Sequence, residues 1–170
     1  MRSVADFYQD CISAVGQQPP LDVQLPDAVG CVLAEDVEAP FNLPVADLAA
    51  CDGYAVAAAD LEGARPDAPV VLPVTEEIRA GDIHPAALIR GRAIRIASGA
   101  PMPQGADAVL ALEFSDHGIS KVSAKTQPAV GENIRRKAED VEEGTVVLRA
   151  GTRVGARQVA LLAGVGRSRV

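Results

Sequence analysis

The sequence predicts a mixed α+β chain, mostly β, in which short strands form curled sheets or a small barrel and only a few short helices occur. Three observations carry this. Between about residue 53 and residue 150, short apolar runs rich in β-formers alternate with Gly and Pro. The 170 residues include 15 Gly and 12 Pro, which is dense turn punctuation. Helical spacing of apolar residues appears only near the two ends. Strands this short and this evenly interrupted suit a barrel or curled sheets and argue against a doubly wound α/β domain.

Residues 3–15 read as an amphipathic helix, because Val4, Phe7, Tyr8, Cys11 and Val15 recur at helical spacing. Ser3 can cap its first turn with Asp6 three residues on, and Gly16 with Pro19-Pro20 ends it. Asp27 is placed to cap a second short helix reaching Leu33, after which Glu35 to Glu38 turns extended. The predicted strands are Tyr54–Val56, Val70–Val74, Ala93–Ala97, Val109–Phe114, Ile119–Lys125 and Val146–Leu148. A last helix over about Arg157–Ala163 stops at Gly164 and Gly166, and the final residues read as the start of a strand. That ending is expected of a piece of a longer protein.

Composition excludes several classes. Hydrophobic residues are 48% and charged residues 23%, which is globular and not disordered. No run free of Asp, Glu, Lys and Arg exceeds 11 residues, whereas a membrane helix needs about 20 largely apolar ones. The N-terminus lacks the apolar run of a secretory leader. Cys11, Cys31 and Cys51 are odd in number and form no C-x-x-C pair, so free buried thiols in a reducing, cytoplasmic setting are expected. His84 and His117 show no zinc-ligand spacing. The net charge is −7, with residues 1–60 at −9, residues 61–130 at −1 and residues 131–170 at +3. With 3% aromatic residues, such a chain offers neither the basic footprint nor the stacking surface of a nucleic-acid binder.

Three segments are candidates for chemistry. Asp52-Gly53 is a turn signal, since Gly accepts positive φ and Asp bonds its own backbone. Ser98-Gly99-Ala100-Pro101-Met102-Pro103-Gln104-Gly105 follows a strand as a stiff loop, whose amides and Ser98 hydroxyl could cradle an oxyanion or simply join two strands. Gly131 to Asp140 sets Arg135, Arg136 and Lys137 before Glu139 and Asp140, a pattern suited to an anion beside a carboxylate or to a solvated surface.

Together and in this order, the segments resemble the MoeA family of molybdopterin molybdenumtransferases, whose animal relative is the E domain of gephyrin. The resemblance rests on D-G-Y-A at Asp52–Ala55, S-G-A-P-x-P-x-G-A-D-A-V at Ser98–Val109, and G-x-N-I-R-R-x-x-E-D at Gly131–Asp140. The run from Gly30 to Asp36 and the ending Ala150–Arg153 with Leu161–Ala163 agree with it. It covers nearly the whole chain, but only the family's N-terminal region.

The resemblance implies a first domain of residues 1–45 with 141–170, and a barrel-like β lid of residues 46–140 inserted into it. It implies insertion of molybdate into adenylylated molybdopterin with release of AMP, dependent on Mg²⁺. It also implies a homodimer in the full-length protein, a missing pterin-binding domain, and a molybdopterin-adenylating protein as upstream supplier. By position it gives catalytic roles to Asp52 and Asp140 and sets Ser98 with them; the chemistry of oxyanions and of Mg²⁺ then suits Gly99, Arg135 and Arg136 to cofactor binding, Ser98 to orienting molybdate, and Asp52 and Asp140 to the metal. Ser98 stands where relatives usually have Thr. Asp47-Leu48-Ala49-Ala50-Cys51 stands where the family reads D-N-S-A-M, so two polar side chains are replaced by apolar ones. That replacement favours a second reading, a non-catalytic, gephyrin-like binding or assembly module.

Overall fold

The computed structural model describes residues 2–16, 18–83 and 87–170; His84 lies outside them. The chain forms two compact units, residues 1–37 with 146–170 and residues 38–145. The sequence boundaries were expected at 45/46 and 140/141, whereas Glu38 to Val45 and Val141 to Thr145 here cluster with the second unit.

In the first unit, α1 (Val4–Ser13) starts as expected: the Asp6 amide donates to Ser3 Oγ, and the Ser3 amide and hydroxyl both donate to the Asp6 carboxylate. None of its residues is buried. The expected second helix is only a 3₁₀ turn, Leu25–Ala28, because Pro26 suits a first turn while Gly30 at φ +90° stops propagation. α2 (Ala156–Gly164) is held at its start by Gln158 Oε1, which accepts the Gly155 amide. Leu162 of α2 packs with Leu25, Ala28, Leu33 and Val154 in this unit's core. The closing strand start is real: Val23 and Val170 exchange both backbone hydrogen bonds, and Leu25 donates to Ser168. Cys11 and Cys31 are exposed, contrary to the expectation of buried thiols, and only Cys51 is partly covered.

Nine strands occur among the described residues: β1 (Val37–Glu38), β2 (Leu48–Ala49), β3 (Gly53–Val56), β4 (Val70–Ile78), β5 (Ala93–Ile96), β6 (Ala108–Ala111), β7 (Lys121–Ala124), β8 (Ile134–Arg135) and β9 (Val146–Leu148). β1 pairs with β9 and β2 with β8, as two-stranded sheets. The second unit is built on a five-stranded sheet in the order β6-β3-β5-β4-β7, antiparallel except for the parallel pair β4–β5. The mostly β, mixed α+β class is therefore what the chain adopts. The expected strand Val109–Phe114 ends at Ala111 and continues as a 3₁₀ turn, Leu112–Phe114. β4 runs four residues beyond its expected end at Val74 and bulges between Val74 and Glu77.

Both faces of the sheet are apolar, as an enclosed curled sheet requires. One face carries Tyr54, Val56, Leu72, Ala93, Leu110 and Val122. The other carries Ala55, Ile78, Ile94, Ile96 and Val109. Burying each large aliphatic side chain here is worth about 1.5–3 kcal/mol. The second face is closed by Ala49 and Ala100, which brings the segment before Asp52 and the loop after β5 onto the same surface.

Candidate functional site

The three sequence segments meet in the second unit. Residues 47–52 lie between the loop that follows β5 and the turn that contains β8. Ala49 exchanges both backbone hydrogen bonds with that loop, its amide donating to the Ala100 carbonyl and its carbonyl accepting from Gly99. On the other side, the Ala50 amide donates to the Asn133 carbonyl, and Leu48 pairs with Arg135. Asn133, at φ +58°, also ties the turn to the sheet by donating its side-chain amide to Val109.

Asp52 sits where this segment enters β3. Its carboxylate accepts the Ser98 backbone amide at 2.7 Å, and its other oxygen has no hydrogen-bond partner among the described residues. Gly53 is needed for a reason different from the expected one. Its φ is not positive; instead a Cβ there would lie 2.2 Å from the Leu110 carbonyl oxygen. Close approach of β3 to β6 imposes glycine and pins Asp52 at the sheet edge.

The loop after β5 does not form the amide cradle that its sequence suggests. The amides of Ser98, Gly99, Ala100 and Met102 all donate within the chain, to Asp52, Ala49, Ala97 and Asp47 respectively. Gly99 serves the turn itself, at φ +78°. The Ser98 hydroxyl is exposed and reaches only the Ala50 carbonyl at 3.4 Å, so it is available to a ligand.

Arg135 and Arg136 are not free cations. Arg135 pairs with Asp140 at 2.5 Å, and Arg136 with Asp47 at 2.7 Å. Sequence reading gave Asp47 no role. Its carboxylate takes the Arg136 guanidinium and the Lys137 amide, while its carbonyl takes the Met102 amide, so it ties the Ser98 loop to the Gly131–Asp140 segment. The Lys137 amide, aided by Arg136, holds the Asp47 carboxyl below the ordinary range, against a raising effect of burial.

Leu48 and Ala49, the apolar replacements, do packing work: Ala49 is 1% exposed in the sheet's core. Beside them, burial followed by the carboxylates of Glu113, Asp52 and Glu132 pushes the Cys51 thiol up. Asp52 borders a pocket of about 150 Å³ that also contains Glu77 and Arg95. Neither was singled out from sequence, although a cation between the two core residues Ile94 and Ile96 was a legible signal.

For a divalent cation, Asp52 and Asp140 each offer one carboxylate oxygen without a hydrogen-bond partner among the described residues, that of Asp140 beside the repelling Arg135 cation. No group of three or more His, Cys, Asp or Glu side chains that could hold a metal occurs among the described residues. Mg²⁺ at Asp52 would thus draw its remaining ligands from water and phosphate, as this ion usually does. No helix among the described residues is long and apolar enough to cross a membrane.

A family model of the MoeA N-terminal region (domain I and II) matches residues 2–166. The chain is 43% identical over 166 residues to molybdopterin molybdenumtransferase 2 of Mycobacterium tuberculosis, covering 98% of this chain and 41% of that protein. It is 39% identical over 152 residues to the molybdopterin molybdenumtransferase of Bacillus subtilis, covering 87% and 35% respectively. It superposes on the crystal structure of the molybdopterin biosynthesis moeA protein from Pyrococcus horikoshii OT3 with a TM-score of 0.83 at 40% identity, over 88% of this chain and 40% of that one. The chain spans about two fifths of the length of these relatives. Its sequence over nearly all 170 residues, and the fold those residues adopt, place it as a member of the MoeA N-terminal region family.

Proposed function

We propose that this chain supplies the N-terminal part of a molybdopterin molybdenumtransferase, which inserts molybdate into adenylylated molybdopterin and releases AMP with Mg²⁺. The observation that carries this reading is that the Ser98 loop and the Gly131–Asp140 segment flank residues 47–52 on either side, with the Ser98 amide bonded to Asp52. In this reading the free oxygen of Asp52 holds Mg²⁺ or polarises water, and the Ser98 hydroxyl orients the oxyanion. Asp140 and Arg135 act as a pair, since each occupies the other, and Arg136 braces the turn through Asp47. Gly99 sets the loop that presents Ser98. In this reading a further part of the whole protein holds the pterin, and a cytoplasmic molybdopterin-adenylating protein is the upstream supplier.

A second reading, an assembly module acting in a homodimer, is favoured by α1, where Phe7, Tyr8 and Ile12 are all more than half exposed. The two readings part in one experiment. The chain is joined in place of the matching N-terminal residues of the M. tuberculosis relative, and molybdenum insertion is measured with adenylylated molybdopterin, molybdate and Mg²⁺. Turnover by the chimaera, lost in Asp52→Asn, supports the enzyme reading. A folded, dimeric chimaera without turnover supports the module.

A further inference from the structure

Arg95 is the one feature of this region that neither its packing nor its pairing accounts for. It lies on β5 two residues after Ala93, which places its side chain on the same sheet face as the core residues Ala93 and Tyr54. It is half-buried, yet its guanidinium makes no hydrogen bond or ion pair among the described residues. Removing a cation from water is unfavourable without a partner. Among the described residues no buried side-chain nitrogen or oxygen is orphaned, so these nitrogens reach solvent, and the space they border is the 150 Å³ pocket beside Asp52. At about 30 Å³ per water, that pocket accommodates a handful of waters or one small tetrahedral anion.

Two carboxylates share the pocket, and each is already drawn elsewhere. Glu77 is the register partner of Arg95 across the β4–β5 pair, but its carboxylate lies against Arg79 at 3.5 Å. Asp52 accepts the Ser98 amide. The planar fork of donors on arginine matches a phosphate-type oxyanion better than any other ligand of that size. β5 ends at Ile96, one residue past Arg95, and Ala97, which leads into the Ser98 loop, lines the same pocket, so an anion held there lies at the base of that loop.

We propose that Arg95 is an anion-binding residue, taking a tetrahedral oxyanion, a phosphate ester or molybdate, in the pocket beside Asp52. The proposal rests on the molybdenumtransferase reading for the identity of the anion, but not for its charge or shape.

The test is a titration of the 170-residue chain, following the arginine Nε–H signals by NMR, with AMP, inorganic phosphate and molybdate added separately, with and without Mg²⁺. The Arg95 signal is identified by its absence in Arg95→Gln. Saturable movement of that signal in the wild type is expected, with affinity for the same anion, measured for every variant by isothermal titration calorimetry, weakened at least tenfold in Arg95→Gln and strengthened in Glu77→Gln. Response to AMP and phosphate alone assigns the site to the substrate phosphate, and response to molybdate alone assigns it to the metal oxyanion. An Arg95 signal that moves on Glu77→Gln but with no anion makes Arg95 a cross-strand ion-pair partner and overturns the proposal. So does unchanged affinity in Arg95→Gln. Should Arg95→Gln not fold, Arg95→Lys and the wild-type titration decide by the same criteria. Anion binding at Arg95 with no turnover in the chimaera defeats only the enzyme reading; a chimaera carrying Arg95→Gln with unchanged turnover defeats only this proposal.

Discussion

The Asp52 carboxylate and the Ser98 amide stand 46 positions apart in the chain and meet at 2.7 Å. This contact joins the strand that leaves Asp52 to the loop that presents Ser98. Asparagine keeps the acceptor oxygen and removes the charge. Asp52→Asn is therefore expected to change the unfolding free energy by no more than about 1 kcal/mol. In the chimaera it should lower molybdenum insertion by about 100-fold or more. Urea unfolding and the insertion assay measure the two effects separately.

Gly53→Ala is expected to be the most damaging single-carbon change near the site. Its Cβ would meet the Leu110 carbonyl oxygen at 2.2 Å and Val109 Cγ1 at 3.0 Å, both on β6, the strand paired with β3. The cost should be about 3 kcal/mol or more, read as a lowered urea midpoint or loss of soluble protein. Gly99→Ala meets nothing within 4 Å and strains only φ, so about 1 kcal/mol is expected.

Asp47 gives the fold a defined dependence on acid. Its folded-state pKa is lowered from 3.8, chiefly by the Lys137 amide. A lowered folded pKa means that the carboxylate's stabilising effect is fully present above the unfolded value of 3.8 and is lost as pH falls through the folded value. The gap in urea midpoint between the wild type and Asp47→Asn should be constant from neutral pH down to the onset of that window and close below it. A gap that widened on acidification would contradict the assignment.

Restoring the polar residue that the family usually carries at position 49 should cost stability. Ala49 is 1% exposed, and Ala49→Ser brings a hydroxyl into the apolar face of the sheet, at about 1–2 kcal/mol. Leu48 is half-buried, so Leu48→Asn should cost less. Equal urea midpoints for Ala49→Ser and wild type would show that the position tolerates either chemistry.

The three thiols should separate by rate. Cys11 and Cys31 are exposed, while burial and three neighbouring carboxylates keep the Cys51 thiol protonated. With a thiol reagent near pH 8, two should react fast and the third at least about tenfold more slowly. Replacing Cys51 with alanine should remove the slow phase alone.

Much of the local structure was decided by residues close in sequence. The Ser3–Asp6 cap, the strands Tyr54–Val56 and Ala93–Ala97 to within a residue, and the helix near Arg157 all follow from periodicity, capping and turn chemistry. The three segments around Asp52, Ser98 and Asp140 were legible as an Asp-Gly turn, a Gly- and Pro-rich loop and a run of three cations before two carboxylates. Only the tertiary structure decided how they are used. The amides of the Ser98 loop looked free in sequence and are taken by Asp52, Ala49 and Asp47. The cations Arg135 and Arg136 looked like an anion site and are paired with Asp140 and Asp47. Arg95 looked like a strand residue and is half-buried with no hydrogen bond or ion pair among the described residues. Hydrogen bonds and ion pairs between distant segments depend on which strands become neighbours, and that arrangement is set by packing of the whole sheet, which no local pattern encodes.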